Sequence, residues 1–254
     1  MDVDNRYGTL AVQQSLLELL KEFHSFCKKN GVKYSLAYGS LLGAIRHNGF
    51  IPWDDDLDVF VDRANYNLLI EKMAEDQHLM VDDCSVQSLW VDRVRRRVDM
   101  EDYTQGFVPT LDVLVLDTVP ANAFARKLKL FRILTLQGMM KPKLSLDKGS
   151  FFLKICSLGT FIIGKLFSNQ WKHRRYRSVS QMGTPSAYVA NYNGEYSDLC
   201  RIYPVSMMDH LVEHQFEDTQ AMIVADYDQC LTTQFGDYMT PPPEQERIPR
   251  HGGA

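Results

Sequence analysis

Asp56 and Asp58 stand two apart at the head of the apolar run LDVFV (57–61), and Asp112 interrupts a second apolar run, TLDVLVLD (110–117). On a strand, alternate side chains share a face, so Asp56 and Asp58 project together. Carboxylates held this close repel each other, and a structural role for them requires a cation between them. A hard dication such as Mg²⁺ suits carboxylate oxygen and keeps waters that a substrate phosphate can displace. Asp112 is the natural third ligand, and Asp117, nearer the strand end, is the competing one. Upstream, Gly39 lets the backbone approach a ligand closely, and Ser40 opens a helix-like run whose N–H groups and dipole favour phosphate. Strand, Gly-Ser turn, helix and Asp-x-Asp strand together point to metal-assisted transfer of a phosphorus-containing group. Taken singly, the turn is equally a plain helix entry, and the aspartates a loop of helix caps or a calcium site.

Other residues offer supporting chemistry. Arg46 and His47 follow the Gly-Ser helix, where they reach a phosphate or simply complement the helix dipole. Arg93, Arg95 and Arg97 share one face if 90–98 is a strand, which suits a nucleotide diphosphate or a solvated edge. Trp53 and Pro52 shape the turn before the aspartates, with base stacking the alternative for Trp53. HLVEH (210–214) matches a zinc-protease pattern that needs a helix to bring His210 and His214 together.

The elements that would position these groups are legible from periodicity. Leu16, Leu17, Leu20, Phe23, Phe26 and Cys27 recur at helical spacing over 10–30, with Gly31 at the C-cap. KYSLAY (33–38) predicts a short strand, LLGAIR a helix, LDVFV a buried strand, and Asp62 the cap of a helix over 64–75 with Tyr66, Leu69, Ile70 and Met73 on one face. Strands are expected within 85–99 and 109–120. Residues 121–180 read as helical, and a further helix falls within 224–239 before the PPP run at 241–243.

The chain of 254 residues is 45% hydrophobic, enough for one sizeable core or a core with a smaller lobe. Its five cysteines form no CxxC pair, so no zinc knuckle or disulfide framework is indicated. The acidic, polar start MDVDNRYGTL lacks the pattern of a secretory signal, which places the expectation in the cytoplasm. A net charge of -4 conceals thirteen Lys or Arg against the single acid Asp147 between Ala121 and Arg177. Such a segment suits an anionic partner: a membrane surface, a polyanionic polymer or nucleic acid. Within it FFLKICSLGTFIIGKLF (151–167) is the most apolar stretch, interrupted by Lys154 and Lys165 and short for a membrane span.

YGSLLGAIRHNGFIPWDDDLDVFV (38–61) resembles the signature of the LicD family, which includes the human fukutin-type proteins. That family belongs to the nucleotidyltransferase superfamily sharing the polymerase-beta core. The resemblance extends to PTLDVLVLD and to the tail YDQCLTTQFGDYMTPPPEQERIPRH, where Arg247 and His251 either close over a nucleotide or pack for stability. It implies an α/β (α+β) fold: a polymerase-beta-like nucleotidyltransferase core with a mixed sheet within 1–120, and a largely helical, basic 121–254 that completes the site. It assigns Gly39 and Ser40 to the phosphate turn and Asp56, Asp58 and Asp112 to one or two Mg²⁺ ions. The gap from Ser40 to Asp56 is longer than in the wider superfamily, through IRHNGFIPWDD, an insertion characteristic of LicD-like proteins.

The implied reaction moves a phospho-alcohol, phosphocholine from CDP-choline or phosphoribitol from CDP-ribitol, onto a sugar hydroxyl of a surface glycan such as teichoic acid, lipopolysaccharide or capsule. Arg46, His47, Arg93 and Arg95 would bind the CDP donor. A lipid-linked acceptor would bring the protein to the inner face of the plasma membrane by peripheral contact. A choline cage needs aromatics, for which Tyr38, Trp90, Tyr103 and Tyr192 are candidates. Two other readings are a nucleotidyltransferase that makes the CDP donor and a non-catalytic polyanion-binding module. Three converging carboxylates argue against the last, and nucleic acid is not the expected partner.

Overall fold

A computed structural model describes residues 5–82, 91–97, 108–144, 151–194 and 196–249. Trp90, Tyr103 and His251 lie outside them, as does much of the strand expected at 85–99. The α/β class expected from the sequence is observed. The chain divides into two compact units, one of Met1–Asp82, Arg93–Val115 and Ser206–Ala254, the other of Asp83–Asp92 and Leu116–Val205.

The first unit begins with helix α1 (Leu10–Asn30), closed by Gly31 in the left-handed conformation. Its buried face, Leu16, Leu19, Leu20, Phe23, Phe26 and Cys27, follows the i, i+3, i+4 rule, and Phe23 meets Tyr34 edge to face at 4.9 Å. Then come β1 (Ser35–Leu36), α2 (Tyr38–His47), β2 (Asp58–Asp62), α3 (Arg63–Ala74), β3 (Leu79–Asp82), β4 (Asp92–Arg96) and β5 (Leu111–Thr118). The strand order is β1-β2-β5-β4-β3, with β1 antiparallel to β2 and β3 antiparallel to β4. Val59, Phe60 and Val61 of β2 and Leu111 and Val113 of β5 are buried, which explains their unbroken apolar runs.

Asp62 caps α3 by accepting the Asn65 N–H at 2.8 Å. Tyr66, Leu69 and Met73 face the core, whereas Ile70, one residue round the helix from Leu69, is exposed. The hairpin of β8 (Leu211–Phe216) and β9 (Thr219–Val224) sets β9 against α1 and β1, with the Val224 N–H donating to Ser35 Oγ at 2.9 Å. HLVEH therefore falls at the start of a strand, where residues four apart are separated by about 13 Å and no helical His pair forms. The unit also contains α8 (Tyr227–Phe235).

In the second unit, α4 (Ala123–Met140), α5 (Phe151–Gly164) and α6 (Asn169–Ser180) are joined by β6 (Tyr188–Asn191), α7 (Tyr196–Leu199) and β7 (Tyr203–Pro204). Asn122 and Ser168 cap α4 and α6 through their side chains. Ile133, Leu136, Met140, Tyr176, Val179 and Tyr192 form its core. Lys129 is buried there, donating to the Thr118 carbonyl at 2.7 Å, with its ammonium 4.1 Å from the Tyr192 ring centroid. That face of Tyr192 already holds a cation.

Candidate active site

Helix α2 and strand β2 are tied together at the point where the chemistry is expected. The Ala37 N–H donates to the Asp58 carbonyl at 2.9 Å, and the Asp58 N–H donates to Ser40 Oγ at 2.9 Å. Ser40 is buried, so its oxygen serves to lock the first turn of α2 to the start of β2. The N–H groups of that turn have no acceptor within the helix, and the dipole adds partial positive charge there. Tyr38, at the head of α2, has φ of 42°, a conformation that costs a non-glycine residue about 1–2 kcal/mol. Gly39 leaves room for a carboxylate: a Cβ there would lie 2.5 Å from Asp54 Oδ2 and push it aside.

The loop that delivers the aspartates is held from both sides. Gln13 of α1 donates to the carbonyls of Ile51 and Asp54 at 3.0 and 2.8 Å, and Thr9 donates to the Pro52 carbonyl at 2.7 Å. From the β8–β9 turn, Glu217 accepts the Phe50 N–H at 3.0 Å and donates its own N–H to the Asn48 carbonyl at 2.7 Å. A Cβ on Gly49 would lie 2.0 Å from Glu217 Oε1, so a larger residue there would push that carboxylate off the Phe50 N–H.

Asp56, Asp58 and Asp112 are brought into electrostatic contact. The backbone N–H of Asp112 donates to the Leu57 carbonyl at 2.8 Å, setting β5 beside the segment that carries the other two. Asp58 is half-buried, and no described donor hydrogen-bonds to its carboxylate. Its pKa is pushed well above the ordinary carboxylate value, first by loss of hydration and then by the charges of Asp56, Asp112 and Asp54, with Arg93 pulling the other way. Arg93 forks onto Asp112, Nε to Oδ1 at 2.7 Å and a second nitrogen to Oδ2 at 3.4 Å. Among the described residues no three His, Cys, Asp or Glu side chains are already arranged around a metal position. The donor set nonetheless fits a hard dication, because an unmatched carboxylate among three others lacks a positive partner of its own.

The remaining candidates are distributed differently. Arg95 is buried and paired with Asp82 at 2.5 Å, and Arg97 donates to the Asp76 carbonyl at 2.9 Å. Arg46 and His47 lie at the far end of α2, about 9 Å along the axis from Ser40. Arg46 donates to the Tyr238 carbonyl at 2.9 Å and to His47 Nε2 at 3.1 Å. Burial and then the charge of Arg247 lower the Arg46 pKa, and burial and then Arg46 lower that of His47. Arg247 lies 5.2 Å from the Trp53 ring centroid, with Tyr7 and His47 edge-on to the same indole. Sequence reasoning passed over Asp54, although the triplet Asp54-Asp55-Asp56 was its visible sign, and it gave Arg93 no part in holding Asp112.

Comparison with known proteins agrees with this geometry. Residues 31–113, which carry α2, β2 and Asp112, match the family model described as LicD/FKTN/FKRP, nucleotidyltransferase domain. The chain is 26% identical over 263 aligned positions to the lipopolysaccharide cholinephosphotransferase LicD of Haemophilus influenzae, covering 96% of each. Uncharacterized proteins of Rickettsia prowazekii and Rickettsia typhi share 53% identity over 45 residues, 18% of this chain. The carboxylate cluster therefore lies inside the segment that resembles the LicD family's nucleotidyltransferase domain, and the chain as a whole is similar to a LicD protein over almost its full length.

Proposed function

We propose that the protein transfers a phospho-alcohol, phosphocholine foremost, from a CDP-activated donor to a sugar hydroxyl of a cell-surface glycan, with Mg²⁺ held by Asp56, Asp58 and Asp112. The observation that carries this reading is the unmatched Asp58 carboxylate, placed among Asp54, Asp56 and Asp112 where Ser40 ties the head of α2 to β2. The Haemophilus relative, named a lipopolysaccharide cholinephosphotransferase and similar from end to end, supports phosphocholine and a glycan acceptor.

The acceptor hydroxyl attacks phosphorus, the bond to CMP breaks, and the hydroxyl proton leaves to a base for which Asp112 is the candidate. The first-turn N–H groups of α2, beginning at Gly39 and Ser40, orient the donor phosphate. Arg93, already beside the carboxylates, shares its planar fork with the diphosphate. Bound Mg²⁺ would neutralise charge on the reacting phosphate and favour the attacking alkoxide.

The test is incubation with CDP-choline or CDP-ribitol labelled in the alcohol, together with a glycan extract and Mg²⁺. Label is expected to enter glycan with the wild type and not with Asp58→Asn. Equal incorporation by the two proteins would overturn the assignment of Asp58.

A further inference from the structure

Helix α5 is built inside out. Its small residues face inward: Thr160 packs over Gly138 of α4, and a Cβ on Gly164 would lie 2.2 Å from the Met139 carbonyl oxygen. Its large apolar residues face outward, with Ile155, Ile162 and Ile163 each at least half exposed and Leu166, just beyond its end, 79% exposed. A soluble helix ordinarily shows the opposite arrangement. The next turn continues the apolar surface, where exposed Phe167 and Trp171 stack at 4.3 Å. An apolar surface of this extent on one helix and its neighbouring turn marks an interaction site.

We infer that this surface docks on an anionic lipid bilayer. The apolar residues are flanked by cations: Lys154 and Lys165 on α5 and its end, and Arg174 and Arg175 exposed on α6. The whole stretch from Ala121 to Arg177 contains one acid, Asp147, against its thirteen basic residues. Apolar side chains with Trp at one end and Lys and Arg alongside are the composition of a helix lying in the headgroup region. At 14 residues α5 is about 21 Å long, short of the hydrocarbon thickness, and no described helix is long and apolar enough to cross a membrane. A second copy of the chain is the poorer occupant, since it would set two strongly basic segments face to face, whereas an anionic leaflet neutralises them.

The experiment is co-sedimentation of the full chain with vesicles of phosphatidylcholine alone and of phosphatidylcholine mixed with phosphatidylglycerol. Neither donor nor acceptor is present, so the outcome is separate from that of the transfer reaction. The wild type should partition onto the mixed vesicles, and added salt should weaken this. Ile162→Gln with Leu166→Gln, both at exposed positions, should lower partitioning about tenfold or more, and so should Lys165→Gln with Arg174→Gln and Arg175→Gln. Absence of partitioning onto the mixed vesicles would overturn the inference, as would partitioning unchanged by the apolar pair. Self-association abolished by Ile162→Gln, with no vesicle binding, would overturn it in favour of a second copy.

Discussion

Replacing Asp58 by Asn removes one charge from a group of carboxylates whose repulsion the fold sustains. The Asp58 pKa is raised first by loss of hydration and then by the charges of Asp56, Asp112 and Asp54, against the opposing pull of Arg93. A like-charge pair about 7 Å apart, the spacing of alternate strand residues, costs roughly 1 kcal/mol at an effective dielectric of about 40. Three acidic neighbours less one guanidinium leave about two such repulsions, so the substitution stabilises the protein by about 2 kcal/mol at neutral pH while removing transfer. Because the folded pKa is raised, the wild-type carboxyl favours folding at acid pH, and this contribution is lost as pH rises through the folded pKa. The advantage of Asp58→Asn should thus be absent below about pH 4, grow as pH rises, and level off above the folded pKa. Urea unfolding of both proteins across this range measures it, and Mg²⁺ should narrow the gap by stabilising the wild type more. A variant no more stable than wild type at neutral pH, or an advantage that persists at acid pH, would refute the reasoning.

Arg93→Gln should act in the opposite sense, costing about 1–3 kcal/mol at neutral pH by removing the guanidinium forked onto Asp112, visible in the same unfolding curves. Gly39→Ala places a methyl group 2.5 Å from the Asp54 carboxylate and should lower kcat by displacing it, with stability by calorimetry changed by less than about 1 kcal/mol because that carboxylate can swing aside. Arg95→Met leaves the Asp82 carboxylate without its partner and should destabilise by about 3 kcal/mol, read from the denaturant midpoint. Gly49→Ala pushes the Glu217 carboxylate off the Phe50 N–H and should cost about 1 kcal/mol, also by denaturant midpoint.

The core elements were legible because their signals are local. The α1 stripe, Asp62 as a cap and the apolar runs of β2 and β5 each depend on residues within one turn or strand. The proximity of Asp56 to Asp58 was legible for the same reason, since Asp-x-Asp at a strand head is a local pattern. Pairings across the sequence were not: the Arg93 side chain met Asp112 through strand order, and Arg95 met Asp82 through the β3–β4 register. The Glu217 clamp on Phe50 joins residues far apart in sequence and leaves no periodic trace. The buried face of α5 was not legible, because apolar composition alone does not say which face a helix buries; the small side of that helix decided it.

The central claim, that this carboxylate cluster transfers a phospho-alcohol from a CDP donor, is tested most directly by the product that leaves. CDP-choline, glycan acceptor and Mg²⁺ should yield CMP in step with phosphocholine appearing on the glycan, and Asp58→Asn should yield neither. Pyrophosphate released from CTP and phosphocholine, with no CMP from CDP-choline, would contradict the account and make the protein a maker of the donor.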